Sequence, residues 1–422
     1  MTDQKISIES LCQKAKAASR KLAQASTAQK NEALERIAVR LEEESPLILK
    51  ANTEDYEAAR ASGMSEALLD RLMLNEKRMN TIVADLRSVT DLPDPVGEVF
   101  DDQVMPNGLK MRKQRVPMGV LGVIYESRPN VTVDVAGLAI KSGNTVILRG
   151  GKETFRSNTA LVGAIQRGLE GTGVQADVIQ TVADPDRALV LELLQMDRYV
   201  DMIIPRGGAG LHDFCRQNSR IPVITGGIGI CHLFVDESAD LEKSVEVLRN
   251  AKIQRPSVCN SLDTALVNRK VAKEFLPKLV RRLSADGVTF RAEEKAFALL
   301  KGDEGVSQAG EQDFDIEWLS LVLGLKVDNT IEEAIAHIAA HSTAHSDGIL
   351  TEDQANAAKF LAEVDSAAVY VNASTRFTDG AQMGLGAEIA VSTQRMHARG
   401  PMGLRELTTF KWVVQGEYHV RP

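Results

Sequence analysis

Between residues 116 and 227 short apolar segments alternate in regular succession with helix-length amphipathic ones, and this rhythm restricts the fold more than any other feature of the chain. Segments 116–125, 145–148, 178–182, 200–204 and 221–224 have the length and apolar content of buried strands. Between them, 131–141 predicts a helix closed at Gly143, 158–169 a second, a stretch from Asp184 a third with Pro185 in its first turn, and the residues up to Gln217 a fourth. Repeated strand–helix units of this kind build a parallel sheet covered by helices on both faces. Ligands bind such sheets at the carboxyl ends of their strands. The fold class expected is therefore α/β.

The flanking regions differ. Up to about residue 90 the pattern is helical: Leu34, Ile37, Ala38 and Leu41 recur on one face, as do Leu68, Leu69, Leu72 and Met73. Asn75 is placed to cap the next helix, and Pro93 and Pro95 end helix formation. Residues 99–115 predict an extended crossover with a turn at Pro106-Asn107-Gly108. A second α/β block covers 228–390, with helices at 241–252, 271–283 and 331–340 and a strand at 368–372. The apolar tail, 410–420, predicts a terminal strand that pairs with another subunit. At 422 residues the chain exceeds one ordinary core.

A net charge of -8 argues against broad nucleic-acid binding. The longest near-apolar run, 116–125, is too short to span a bilayer. A polar, helix-forming start predicts no signal peptide. Cys12, Cys215, Cys231 and Cys259 show neither metal-ligand spacing nor a disulfide pattern, which fits a reducing, cytoplasmic setting.

Cys259 stands apart from the other three. It lies in Arg255-Pro256-Ser257-Val258-Cys259-Asn260, a polar connection between a predicted helix and a strand at 264–267, where a nucleophile can be held by rigid neighbours and face a cleft. A buried, inert thiol is the competing reading. The remaining cysteines fall in periodic segments and are assigned to packing. GGKET at 150–154 fails as a Walker A loop, because the first glycine is missing and Glu153 replaces the hydroxyl residue. Gly207-Gly208-Ala209-Gly210 follows a strand and opens a helix without the full dinucleotide fingerprint. It is either an anion site aided by Arg206 or a tight turn. His337, His341 and His345 are spaced as a helical stripe, but Ser342, Ser346 and Asp347 predict that the helix stops before the third. A polar helix face running into a loop is expected there, and no metal.

Several segments together carry a resemblance. PMGVLGVIYESRPN at 117–130, SGNTVILR at 142–149, RPSVCN at 255–260, EWLS at 317–320 and VYVNASTRFTDG at 369–380 are similar to the aldehyde dehydrogenase superfamily, and within it to a branch that reduces an activated glutamyl group. The resemblance implies a Rossmann-type cofactor domain (1–100 and 120–227), a catalytic domain (228–390) and a small oligomerisation element (101–119 and 405–422) in a homodimer or homotetramer. It implies NADPH-dependent reduction of L-glutamyl 5-phosphate to L-glutamate 5-semialdehyde and phosphate through a cysteine thioester, in proline biosynthesis. A glutamate 5-kinase would be a separate partner chain. Cys259 matches the nucleophile and Asn130 the amide that completes the oxyanion hole. Glu317 matches the acid on the nicotinamide-side ribose, Gly207, Gly208 and Gly210 the pyrophosphate region, and Arg149 a cation near the adenosine ribose. Lys152 falls where NAD-preferring members often carry a glutamate, which favours a 2′-phosphate and hence NADPH. Arg128, Arg206, Arg255 and Arg376 are candidates for the substrate's anionic groups, and Glu126 for its amino group. Hydrolytic members carry a glutamate where this chain has Ile224, and the lack of that base favours reduction over hydrolysis. An acylating relative that uses coenzyme A shares the same gap.

Overall fold

The N-terminal helical pattern folds as α1 (Ile8–Leu22), α2 (Thr27–Glu43), α3 (Ser45–Ala61), α4 (Glu66–Leu72) and α5 (Glu76–Asp91), in a computed structural model that describes residues 7–421. Ser26 and Gln29 form a reciprocal capping box on α2, and the Asn75 side chain accepts from the Arg78 amide at the start of α5. Leu34, Ile37, Ala38 and Leu41 are buried, as are Leu69 and Leu72, while Leu68 is exposed.

An antiparallel hairpin follows, β1 (Val99–Val104) and β2 (Lys110–Pro117). The strand expected over 116–125 is divided at Gly119. Its φ of 127° turns the chain out of β2, and a side chain there would strike the Asp201 carboxylate. Then come β3 (Val120–Tyr125), α6 (Asn130–Lys141), β4 (Thr145–Arg149), α7 (Phe155–Leu169), β5 (Ile179–Thr181), α8 (Ala188–Leu193), β6 (Met202–Arg206) and α9 (Ala209–Asn218). The four strands form a parallel sheet in the order β5-β4-β3-β6, with β3 and β4 buried throughout. Two expectations are corrected here. The helix predicted from Asp184 starts at Ala188, because the carboxylates of Asp184 and Asp186 accept from the amides of Asp186 and Ala188 and fold the segment into successive turns. The strand predicted at 221–224 is a single bridge, Ile203 to Val223, since Pro222 has no amide to extend a ladder.

The second α/β block contains β7 (Cys231–Val235), α10 (Leu241–Ile253), β8 (Leu262–Asn268), α11 (Arg269–Ser284), β9 (Thr289–Ala292), α12 (Glu294–Leu299), β10 (Val306–Gln308), β11 (Val322–Asp328), α13 (Ile331–His341), β12 (Ser346–Leu350), α14 (Gln354–Glu363) and β13 (Ala368–Val371). Its seven-stranded parallel sheet runs β10-β9-β11-β8-β7-β12-β13. Leu248, Phe275, Leu279, Phe290 and Leu325 are fully buried in its core. The chain continues through β14 (Ala390–Ser392) and β15 (Gly400–Met402) to β16 (Thr408–Gln415). The tail strand has a partner within the chain: β16 pairs antiparallel with β2 from Thr408 opposite Pro117 to Gln415 opposite Lys110.

The described residues divide into two units. One holds those up to Thr225, Leu385–Ala390 and those from Met402 on; the other holds Gly226–Gly384 and Val391–Pro401.

The packing of α7 on α2 gives the first prediction. A methyl group on Gly168 would lie 2.8 Å from the Ile37 Cα and 3.1 Å from the Arg36 carbonyl oxygen, both backbone atoms. Gly168→Ala should therefore lower stability by about 1–3 kcal/mol in thermal or urea unfolding. An unchanged unfolding midpoint would contradict this helix crossing.

Candidate active site

The thiol occupies the connection between α10 and β8. Cys259 is partly exposed, and the next residue, Asn260, is buried. Asn260 donates its amide to the Thr378 carbonyl oxygen at 2.9 Å and accepts at its own carbonyl from the Thr375 hydroxyl at 2.7 Å. The loop is thus tied to the turn that follows β13. Behind the nucleophile, the Cys231 thiol donates to the Cys259 carbonyl oxygen at 3.3 Å. Gly229 fills the remaining space, and a side chain there would fall on that same carbonyl. The Gly229 amide donates to Glu317 Oε1 at 2.9 Å. One glycine backbone therefore backs the nucleophile's carbonyl and holds the carboxylate matched to the cofactor ribose.

Cys12, Cys215 and Cys231 are fully buried. Burial pushes Cys12 up to about 12, Cys215 up to about 11 and Cys231 well above the ordinary thiol range. Their assignment to packing agrees with this. Cys259 is the one cysteine with solvent access.

Arg376 follows β13 and lies half buried, its Nε donating to Gln254 Oε1 at 2.9 Å. Burial first, and then the charge of the exposed Arg255, hold its pKa below the usual guanidinium value. Two guanidiniums close enough to repel each other flank the thiol loop, so an anion arriving there relieves the repulsion.

The first unit holds the other candidates. Ser127 sits at φ 45° where β3 turns toward α6, and its amide and hydroxyl both donate to Glu153 Oε1, at 2.8 and 2.7 Å. Glu153, the residue that spoils the Walker pattern, is thus an anchor for the turn before Asn130. Asn130 donates to Asp134 Oδ2 at 2.9 Å. Burial pushes Asp134 up to about 6, with Asn130's hydrogen bond and the charge of Arg206 pulling the other way. Arg128 and Arg206 are half buried. Lys152 is exposed on the turn after β4. Arg149 is different: it is 6% exposed, and its guanidinium donates to the carbonyls of Gly150 and Pro185, which fastens the Asp184 turns to the end of β4. Burial lowers its pKa. Its guanidinium faces backbone rather than an open surface.

At the start of α9 the Gly208 amide donates to Glu126 Oε2 at 3.1 Å, and a side chain on Gly207 would collide with that carboxylate. Glu126 holds the amide that a phosphate would use. At Gly208 and Gly210 an added Cβ would meet no atom, so packing does not demand glycine there. Within the first unit, the open glycine surface and the exposed cation at Lys152 fit a phosphorylated dinucleotide by donor chemistry. Ile224, in place of the hydrolytic glutamate, is buried and offers no base.

The histidine stripe is corrected in part. The helix does end at His341, with Ser342 as its cap, so His345 lies outside it. His337, however, is buried: it packs edge-on against Phe314, and its ring centroid is 4.3 Å from that of His341. Burial drops His337 to about 2 and His345 to about 4. At His337 the face is packed, while Glu333 and His341 keep contact with solvent. Among the described residues no group of three or more His, Cys, Asp or Glu is placed to hold a metal ion, and no helix is long and apolar enough to cross a membrane.

Parallel sheets with a thiol on the loop entering a central strand define an aldehyde dehydrogenase-like oxidoreductase, and the aldehyde dehydrogenase family model matches residues 2–293. The chain belongs to that family and, within it, to the gamma-glutamyl phosphate reductases. The gamma-glutamyl phosphate reductase of Tolumonas auensis is 58% identical over 406 residues, covering 96% of this chain and 97% of that one. The crystal structure of the Thermotoga maritima gamma-glutamyl phosphate reductase superposes with a TM-score of 0.96 at 50% identity, covering 98% of this chain and 100% of that one. An engineered glycolyl-CoA reductase with bound NADP+ shares the fold, with a TM-score of 0.68 at 17% identity over 97% of this chain and 96% of that one.

Gly229 and Asp134 were not singled out from the sequence, and Glu153 was noted only as a departure from the Walker pattern, not as an anchor. Only the crowding of glycines at 226–229 hinted at a close backbone approach.

Two outcomes follow. Gly229→Ala should displace the Cys259 carbonyl, lower stability by about 1–3 kcal/mol and abolish most turnover, checked by unfolding and steady-state assays together. Limited iodoacetamide treatment near neutral pH should label Cys259 ahead of the other three cysteines in peptide mass spectra, and equal labelling of Cys215 would contradict the burial described.

Proposed function

We propose that this chain reduces L-glutamyl 5-phosphate to L-glutamate 5-semialdehyde and phosphate with NADPH, as the aldehyde-forming step of proline biosynthesis. The carrying observation is the accessible Cys259 thiol flanked by the Arg255–Arg376 pair, with buried Ile224 where a hydrolytic base would stand. The family relatives support the substrate, since they bear its name.

In this reading the Cys259 sulfur attacks the acyl carbon. A C–S bond forms, the C–O bond to phosphate breaks, and phosphate leaves with the bonding pair. The Asn130 side-chain amide and the Cys259 N–H donate to the oxyanion, and Asp134 holds Asn130 in one rotamer. Arg255 and Arg376 take the substrate's anionic groups, with Arg128 and Arg206 as further cations and Glu126 for its amino group. The bound nicotinamide supplies the hydride. Glu317, fixed by the Gly229 amide, would hold the nicotinamide-side ribose. The hemithioacetal on Cys259 then collapses and returns the thiol. Lack of a base at 224 preserves the thioester until reduction.

Lys152 is the cation assigned to the 2′-phosphate. Arg149 holds the Asp184 turns against the end of β4, and Gly207, Gly208 and Gly210 would take the cofactor's pyrophosphate. The enzyme works in the cytoplasm as a homodimer or homotetramer and receives its labile substrate from a separate glutamate 5-kinase.

The reaction run in reverse tests the reading. With semialdehyde and NADP+, phosphate should support turnover and coenzyme A should not; the opposite acceptor preference would move the chain to the acylating class. Cys259→Ser should lose phosphate-dependent turnover while retaining NADPH binding. Asn130→Ala should lower kcat by about 10²–10³, and Lys152→Ala should raise the NADPH KM roughly tenfold, with little effect on NADH.

A further inference from the structure

The ends of the nucleophile loop are joined by a buried pair of opposite charges. Lys252, in the last turn of α10, is fully buried; Asp263, near the start of β8, is 2% exposed. Lys252 Nζ donates to the Leu262 carbonyl oxygen at 2.8 Å and lies 3.6 Å from Asp263 Oδ1. The segment between them carries Cys259. The same Asp263 oxygen accepts from the Trp318 amide at 3.2 Å, and Trp318 directly follows Glu317. Burial drives both groups toward their neutral forms, lowering Lys252 and pushing Asp263 up to about 6, and each pulls the other back. Such a pair contributes little net stability compared with apolar residues of the same volume, yet removing one partner strands the other charge. A pair that adds little to stability but touches both arms of a site is placed to fix geometry.

We propose that Lys252 and Asp263 are positioning residues: through the Leu262 carbonyl and the Trp318 amide they set the Cys259 loop and the Glu317 carboxylate in one fixed register. The inference rests on the catalytic reading of Cys259 and Glu317 given above. Both residues are buried away from solvent. Their effect passes through the loop ends, and a displacement of about 1 Å at a reacting group is enough to cost on the order of 10²-fold in rate.

The test uses the full chain and two variants. Lys252→Met/Asp263→Leu removes the charges together and should fold with an unfolding midpoint close to the parent's. It should nevertheless alkylate at Cys259 about tenfold more slowly with iodoacetamide, show a roughly tenfold higher NADPH KM, and, in a Trp412→Phe background, give a red-shifted Trp318 emission. Asp263→Asn keeps an acceptor for the Trp318 amide, so it should slow alkylation while sparing the NADPH KM. Parent-like alkylation and KM in the double variant would overturn the proposal. So would a double variant that fails to fold, since the pair would then support the unit as a whole. Alkylation needs no turnover and is therefore read independently of the thioester route, whose own failure would appear as retained turnover in Cys259→Ser.

Discussion

The arrangement depends on one close backbone contact, that of Gly229 against the carbonyl of Cys259. That carbonyl is held by the Cys231 thiol, and the Gly229 amide in turn holds Glu317. Cys259 and Glu317 are thereby referred to the same few backbone atoms at the entry to β7. The contact admits no Cβ, so a glycine is required there by contact rather than by backbone angle. In the proposed reaction, rigidity at this point keeps a small thiol on a loop in the register a hydride transfer demands.

Charge around the thiol is arranged with similar economy. Burial first, and then the charge of Arg255, hold the Arg376 guanidinium below its usual pKa. A doubly anionic leaving group and a carboxylate-bearing substrate are the ligands that such a pair favours. Burial keeps the three packing cysteines protonated, with nearby carboxylates adding to the effect at Cys12 and Cys231.

Much of this was legible in the sequence because it depends on local rules. The βαβ rhythm, the helical faces of α2, the Asn75 cap and the exceptional placement of Cys259 follow from periodicity, capping and turn chemistry. What escaped depends on contacts distant in sequence or on short-range competition. Gly119 splits a continuous apolar run because of Asp201, 82 residues further on. Pro222 reduces an apolar strand pattern to one bridge. The pairing of β16 with β2 joins segments nearly three hundred positions apart. His337 looked solvated by spacing and is buried by Phe314 and His341. The resemblance places Arg149 near the adenosine ribose, but its bonds to the Gly150 and Pro185 carbonyls could not be read from sequence, since a cation at the end of a strand looks the same whether it meets a phosphate or a carbonyl.

The most direct measurement of the central claim is peptide-resolved mass spectrometry of the protein incubated with glutamate 5-semialdehyde and NADP+ in the absence of phosphate and other thiols. The account predicts one equivalent of NADPH formed per active site, with a glutamyl adduct located on the Cys259 peptide and discharged when phosphate is added. NADPH formation with no adduct on that peptide, or an adduct that phosphate does not release, would contradict it.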